Sequence, residues 1–269
     1  MNSGEDPNHN LRVAVMLSQK AVQKGARFIL LPELFSLRKQ KGPYSGESIP
    51  GPSTEPLMEF AKNCSAWVLG GSILEKVKTE KQERPDAGEK VYNTSVLINP
   101  EGEIAAIYRK IHLFNLRLPE KIIQESNYFL AGKKPVLGDI QGIKLGMAIC
   151  YDLRFPELSR YYVKKGAKML AYPSSFTTTT GKAHWETLLK ARAIENQCFV
   201  LAPNQVGVGA NGVPTYGHSM IIDPWGTLLC RGSEWNEEVV MADLDFSQCE
   251  EIRKKLPALK HYVLLGKTL

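Results

Sequence analysis

The chain has 269 residues, 43% hydrophobic and 23% charged, and 34 basic against 28 acidic residues give a formal net charge of +6. That length and composition support an ordinary globular core without covalent staples. The basic residues alternate with acidic ones, so the clustered footprint of a nucleic-acid binder is absent. Cys64, Cys150, Cys198, Cys230 and Cys249 stand far apart, with no pair at zinc-knuckle or redox spacing. Reduced thiols in a cytoplasmic protein are the expectation. No charged-then-apolar leader is visible, and no apolar run is long enough to span a bilayer, so no membrane partner is expected either.

Residues 1–10 are polar and without periodicity. Leu11, Ala14, Val15, Ala21 and Val22 then recur at helical spacing until Gly25. The apolar run 28–31 before Pro32 predicts a buried strand, and 54–63 a second helix with Glu55 in its first turn. Residues 67–73 read as a strand. The charged stretch 76–90, with Pro85 and Gly88, predicts an exposed hairpin loop. Strands are predicted over 91–99 and 104–108, joined at Pro100-Glu101-Gly102. Residues 113–132 predict a long irregular loop, a class of segment that often carries function. Next come a strand at 143–149, a helix at 156–165, a strand at 168–171, a helix at 185–196 and a strand at 198–202. The segments 219–222 and 227–230 flank a Pro224-Trp225-Gly226 turn, 238–244 reads as a strand, and 247–256 as a closing helix. Alternating strands and helices with interspersed hairpins predict a single α/β domain over 1–269 with a mixed sheet.

Three residues at predicted strand ends could carry chemistry. Cys150 lies between the strand at 143–149 and the helix at 156–165. A strand-to-helix turn presents the thiol, and a helix N-terminus favours negative charge on it. The alternative is a buried, inert cysteine. Glu33, in Leu31-Pro32-Glu33, follows an apolar strand at its carboxyl end, where open α/β sheets place their sites, and suits proton transfer. A solvated loop glutamate would look the same. Lys110, in Tyr108-Arg109-Lys110, also follows a strand and by itself reads as an exposed lysine.

Together, in this order and spacing, these segments resemble the nitrilase superfamily of carbon–nitrogen hydrolases. Its members carry a glutamate after a Leu-Pro pair, a lysine in a Tyr-Arg-Lys run and a cysteine in Cys-Tyr-Asp. Further matches are Tyr92-Asn93-Thr94, Arg154-Phe155-Pro156-Glu157, Tyr172-Pro173-Ser174, His184-Trp185, Arg192-Ala193-Ile194-Glu195-Asn196, Tyr216-Gly217-His218-Ser219 and Asp223-Pro224-Trp225-Gly226. The resemblance covers the chain from about residue 10 onward.

The resemblance implies an α-β-β-α sandwich, with two mixed sheets face to face and helices outside. It implies a homodimer built on the helices at 156–165 and 185–196, the first offering Leu158, Tyr161, Tyr162 and Val163. It also implies amide hydrolysis, with Glu33 as general base, Cys150 as the nucleophile that forms a thioester, and Lys110 with the Tyr151 N–H as oxyanion donors. Glu125, in Gln124-Glu125-Ser126, matches a fourth functional glutamate that orients substrate or supports proton transfer. Neither a metal nor an organic cofactor is implied. Residues 110–114 and 124–126 look like omega-amidases, which act on the side-chain amides of α-keto acids. Residues 192–200 and 216–227 look more like deaminated-glutathione amidases. Both substrate types are small amides bearing a carboxylate, and Arg154 is the candidate anchor for it.

One feature departs from the resemblance. Family members begin with an apolar core strand ahead of the segment matching 2–10, and that first strand is missing from this sequence. Its neighbours would then hold unpaired backbone groups, costing about 1–3 kcal/mol for each buried one. The alternatives are a nitrilase or N-carbamoyl amidohydrolase with the same residues, a Cys-His hydrolase using His112 or His184, and an inactive truncated scaffold.

Overall fold

Asp6 and Pro7 start the first helix well before the apolar periodicity does. In the computed structural model, which describes residues 1–39, 42, 44–77, 90–118, 121–209, 212–261 and 263, helix α1 spans Pro7–Gln23. The Asp6 carboxylate accepts the backbone N–H groups of Asn8 and His9 at 2.9 and 3.1 Å. Pro7, at the first helical position, has no N–H to satisfy. Residues 1–10 are therefore ordered in good part by a capping signal.

Strand β1 (Phe28–Leu30) and helix α2 (Glu55–Cys64) follow as expected. The strand predicted over 67–73 breaks into β2 (Trp67–Leu69) and β3 (Ile73–Lys76). Gly71 at the break has φ +43°, and a Cβ there would collide with the Pro32 carbonyl oxygen and stand 2.8 Å from that of Leu31. The loop predicted at 76–90 lies, from 78 to 89, outside the described residues. Strands β4 (Val91–Ile98) and β5 (Ile104–Arg109) form the predicted hairpin.

The segment 113–132 is not irregular. It holds a two-stranded ribbon of β6 (Asn115–Leu118) and β7 (Lys121–Gln124), a turn of 3-10 helix (Glu125–Asn127) and β8 (Phe129–Leu130). The ribbon pairs Leu116 with Ile123 and Arg117 with Ile122. A second hairpin that the sequence hid joins β9 (Val136–Ile140) to β10 (Ile143–Met147). Gln141 and Gly142 both have positive φ, +53° and +84°, as a tight type I′ turn requires. Glutamine in place of the usual Asn or Asp masked that signal.

After a 3-10 turn at Cys150–Arg154 come α3 (Pro156–Lys164), β11 (Met169–Ala171), α4 (Thr178–Asn196) and β12 (Phe199–Ala202). The last elements are β13 (Met220–Ile222), β14 (Leu228–Arg231) and α5 (Ser247–Lys255). Helix α4 begins seven residues before the predicted 185, because threonines and Gly181 read as helix-poor. Gly181 nonetheless donates its N–H to the Thr177 carbonyl at 2.7 Å and packs against the Tyr216 ring, where a side chain would not fit.

The strands form two six-stranded sheets. One runs β1-β2-β4-β3, with β5 and β8 also on β4. The other runs β14-β13-β12-β11-β10-β9, with β10, β11 and β12 parallel and the rest antiparallel. Alternation along β4 sorts its side chains. Val96 and Ile98 pack with Leu57 and Phe60 of α2 and Ala14 and Leu17 of α1, whereas Leu97 joins the core between the sheets. Gly138 of β9 opposes Leu97, and Gly146 of β10 lies against the Tyr162 ring of α3, so neither has room for a Cβ. The layers are helices, sheet, sheet, helices: the expected α-β-β-α sandwich. Leu158, Tyr162 and Val163 of α3 are buried in it, and only Tyr161 of that expected apolar face stays exposed. No helix among the described residues is long and apolar enough to cross a membrane.

The predicted strand at 238–244 does not form. Its composition suits a strand, but its backbone pairs with no described residue. Among the described residues strand β1 pairs only with β2. Its other edge and residues 238–244 line one groove of about 720 Å³, walled also by Met169, Leu201 and Met220.

The contact between Gly71 and the 31–32 carbonyls ties β3 to the exit of β1. Gly71→Ala places a Cβ on a left-handed residue, costing about 1–3 kcal/mol from the backbone alone. The expected result is a melting temperature lower by several degrees in calorimetry; an unchanged value would show that the contact is slack.

Candidate active site

The three candidate residues leave strand ends and converge from both sheets. Glu33 sits beyond β1. Leu34 after it turns to φ +53°, held by the Ser72 hydroxyl, which accepts its N–H at 2.9 Å. Gln205 Nε2 donates to the Glu33 carbonyl at 2.9 Å. Lys110 directly follows β5, its N–H donating to the Asn93 carbonyl and its carbonyl accepting the Gly132 N–H, both at 2.8 Å. Cys150 lies beyond β10, with its N–H on the Pro173 carbonyl at 3.0 Å and φ +46°. A left-handed conformation at a non-glycine residue is strained, and here it presents the nucleophilic side chain.

Lys110 Nζ donates to Glu33 Oε1 at 2.9 Å and to Glu125 Oε1 and Oε2 at 3.0 and 2.9 Å. The Lys110 and Glu33 side chains are 1% and 3% exposed. Glu33 is held further by Asn93 Nδ2 on Oε1 and the Ser175 N–H on Oε2, each at 2.9 Å. Glu125 Oε2 also accepts the Phe114 N–H at 2.8 Å. Asn93 and Ser175 were quoted or bracketed by the sequence motifs, but no role could be read for them from sequence alone.

Burial is the largest influence on each of the shifted groups. It pushes the Cys150 thiol well above its ordinary range, reinforced by repulsion from Glu33 and opposed by attraction to Lys110. It pushes Glu125 up against the attraction of Lys110. It pulls Lys110 down, but Glu125, Glu33 and Cys150 together outweigh it and hold the ammonium firmly charged. The expectation that a helix N-terminus makes Cys150 acidic is thus reversed. The turn at 150–154 is short, and a buried thiol next to carboxylates resists ionisation.

Asp152 is the residue that sequence reasoning missed. Fully buried, it accepts four bonds: the Tyr108 hydroxyl at 2.7 Å, the Ile149 N–H at 2.8 Å, the His112 N–H at 3.0 Å and His112 Nδ1 at 2.7 Å. Tyr108 belongs to one sheet and Ile149 leads out of the other. Asp152 therefore fixes the Cys150 turn against the strand that delivers Lys110. The His112 ring, stacked on Phe155 at 3.6 Å and 7°, is occupied by Asp152, and His184 Nδ1 meets Arg154 Nη2 at 3.3 Å. Neither histidine has a hydrogen bond to Cys150 among the described residues.

Glu33, Glu125, Cys150, Tyr151 and Arg154 line a cavity of about 450 Å³, with Arg38, Phe114, Ser175, Phe176 and Thr215. The Tyr151 N–H has no described acceptor. The Arg154 guanidinium lies over the Phe176 and Tyr151 rings, 5.3 and 5.8 Å from their centroids. Among the described residues, no three His, Cys, Asp or Glu side chains gather to hold a metal ion.

Known proteins place this geometry. The carbon–nitrogen hydrolase family model matches residues 1–254. The omega-amidase NIT2 of Xenopus tropicalis is 40% identical over 254 residues, covering 93% of this chain and 88% of that protein. The crystal structure of the C. elegans NitFhit protein aligns with a TM-score of 0.85 and 34% identity over 97% of this chain, which spans 63% of that one. The structure of Saccharomyces cerevisiae Nit3, a member of branch 10 of the nitrilase superfamily, gives 0.80 and 31%, covering 95% and 91%. The chain belongs to the carbon–nitrogen hydrolase family, within the nitrilase superfamily. It is a hydrolase of carbon–nitrogen bonds other than peptide bonds, of the amidase type.

A thiol raised by burial stays protonated through neutral pH. Alkylation of Cys150 by iodoacetamide, followed peptide by peptide in a mass spectrometer, is expected to keep accelerating beyond pH 9, the ordinary thiol value. A plateau below that pH would mean that Lys110 wins over burial.

Proposed function

We propose that this enzyme hydrolyses the linear amide of a small carboxylic acid and releases ammonia through a thioester on Cys150. The observation that carries the reading is the Lys110 ammonium bracketed by Glu33 and Glu125 beside a protonated, buried thiol at the wall of one cavity. The likeness to relatives named omega-amidase supports the substrate class.

Glu33 takes the Cys150 proton as the sulfur attacks the amide carbon. A thiol that does not ionise on its own needs such a base. Negative charge moves onto the carbonyl oxygen, where Lys110 Nζ and the free Tyr151 N–H stabilise it. Glu33 passes its proton to the nitrogen, the carbon–nitrogen bond breaks and ammonia leaves. Glu33 then deprotonates a water that attacks the thioester, and the acid departs as the thiol is restored. Glu125 holds Lys110 in place and offers its carboxylate to the amide NH₂. A cation must also receive the substrate's own carboxylate. Arg154 lines the cavity, but its guanidinium already meets His184 and two aromatic faces. For assembly, a homodimer over α3 and α4 is proposed. Tyr161 and Ile194 stand exposed there, 44% and 53%, and sedimentation at twice the chain mass is the expected result.

Hydrolysis is followed as ammonia release from α-ketoglutaramate, an N-carbamoyl compound and a simple nitrile, and as cysteinylglycine release from deaminated glutathione. Release from one of the two amides by the wild type, none by Cys150→Ala and about 100-fold less or lower by the isosteric Glu33→Gln are expected. Release from the nitrile or carbamoyl compound alone, or undiminished turnover by Cys150→Ala, would overturn the assignment.

A further inference from the structure

Arg38 and Lys39 both line the cavity without a task in the proposed reaction, and of the two Arg38 is the buried one. It follows Glu33 by five residues on a segment pinned from several sides. The Ser3 hydroxyl donates to the Phe35 carbonyl at 2.8 Å, Asn10 Nδ2 donates to the Ser36 carbonyl at 2.9 Å, and the Arg38 N–H donates to the Gly4 carbonyl at 3.0 Å. The side chain is 4% exposed, and no carboxylate among the described residues forms an ion pair with it. Its Nη1 is buried without a hydrogen-bond partner among the described residues. Glycine at 209 lets the guanidinium lie where it does, since a Cβ there would overlap Nη2 and stand 2.6 Å from Cζ. The residue edges the same cavity as Glu33, Cys150, Val213 and Thr215.

A buried guanidinium with an orphan donor is costly unless something pairs with it. Burial already depresses Arg38 to about 10, and the attraction of Glu33 only partly opposes it. Arginine's planar fork suits a carboxylate. We infer that Arg38 is the carboxylate anchor of the cavity, receiving the acid group at the far end of a substrate whose amide lies at Cys150. The inference deepens the proposed amidase reading and rests on it. It moves the anchor from Arg154, whose guanidinium is already engaged, to a residue no sequence motif marked. A dicarboxylate, the product of hydrolysing such a monoamide, should bind the same way.

The test does not need turnover. Succinate and glutarate are titrated as protectants of Cys150 against iodoacetamide, with butyrate as the single-carboxylate control, in the wild type, Arg38→Met, Gly209→Ala and Arg154→Gln. Gly209→Ala keeps the charge and displaces only the guanidinium. A dicarboxylate is expected to protect the wild type at a concentration at which butyrate does not. At least tenfold more should be needed in Arg38→Met and Gly209→Ala, with the unprotected alkylation rate unchanged within about threefold. Equal protection of the wild type, Arg38→Met and Gly209→Ala, no protection of the wild type, or loss confined to Arg154→Gln overturns the proposal. So does a parallel fall in unprotected alkylation, which would mean that Arg38 acts on the thiol and not on a ligand. If Arg38→Met fails to fold, Gly209→Ala decides alone. Ammonia release by the wild type separately reports whether the amidase reading holds.

Discussion

A lysine ammonium sealed between two carboxylates governs this molecule. Taking three charges out of water costs several kcal/mol for each ion, and only close geometry offsets it. The Lys110 bonds of 2.9 to 3.0 Å to Glu33 and Glu125 supply that geometry, and Asn93, Ser175 and Phe114 satisfy the remaining carboxylate lone pairs. Two carboxylates against one ammonium still leave an excess of negative charge. The excess shows in the raised Glu125 and Cys150 values, both pushed up first by burial and then by Glu33. A site so charged keeps its sulfur as a thiol at rest and makes thiolate only as a base removes the proton. The titrations of these groups are therefore a property of the cluster.

The two sheets meet where the cluster forms. Glu33 and Lys110 leave β1 and β5 of one sheet, and Cys150 leaves β10 of the other. Their mutual distances depend on how the sheets are seated. Gly138 and Gly146 allow close approach on either face of β9 and β10, and Asp152 ties Ile149 to Tyr108 across the gap. Removing one Asp152 partner would leave a buried acceptor short, worth about 1–3 kcal/mol. It would also loosen the Cys150 turn. Packing and chemistry are thus joined in one residue that carries no reaction step itself.

What the sequence disclosed follows from how local each signal is. Strands β1, β4, β5, β10, β11 and β12 and most helices announce themselves by apolar runs and periodicity. Glu33, Lys110 and Cys150 were legible as strand-end residues, and their grouping from the order of their motifs. The β9–β10 hairpin was hidden because Gln141 fills a turn position that Asn or Asp would have advertised, and the start of α4 because threonines disfavour helices until tertiary contacts hold them. Asp152 could not be read at all as a hub, since its four donors come from positions 108, 112 and 149. No motif marked Arg38. Only the folded cavity shows that its Nη1 has no partner among the described residues.

The strand that leads to Glu33 is short and lies at an edge of its sheet. Strand β1 is three residues long and, among the described residues, pairs on one edge only, its other edge facing the groove shared with residues 238–244. Sheet bonding alone therefore does not fix the general base. Position comes from beyond the strand: Ser72 under Leu34, Gln205 on the Glu33 carbonyl, Ser175 and Asn93 on its carboxylate, and Gly71 packed on Pro32. These contacts come from both sheets and cluster at the carboxyl end of β1, while the open groove lies along its length. A strand paired on one edge can then coexist with a rigid site, because the forces that place Glu33 act across the sandwich and not along the strand.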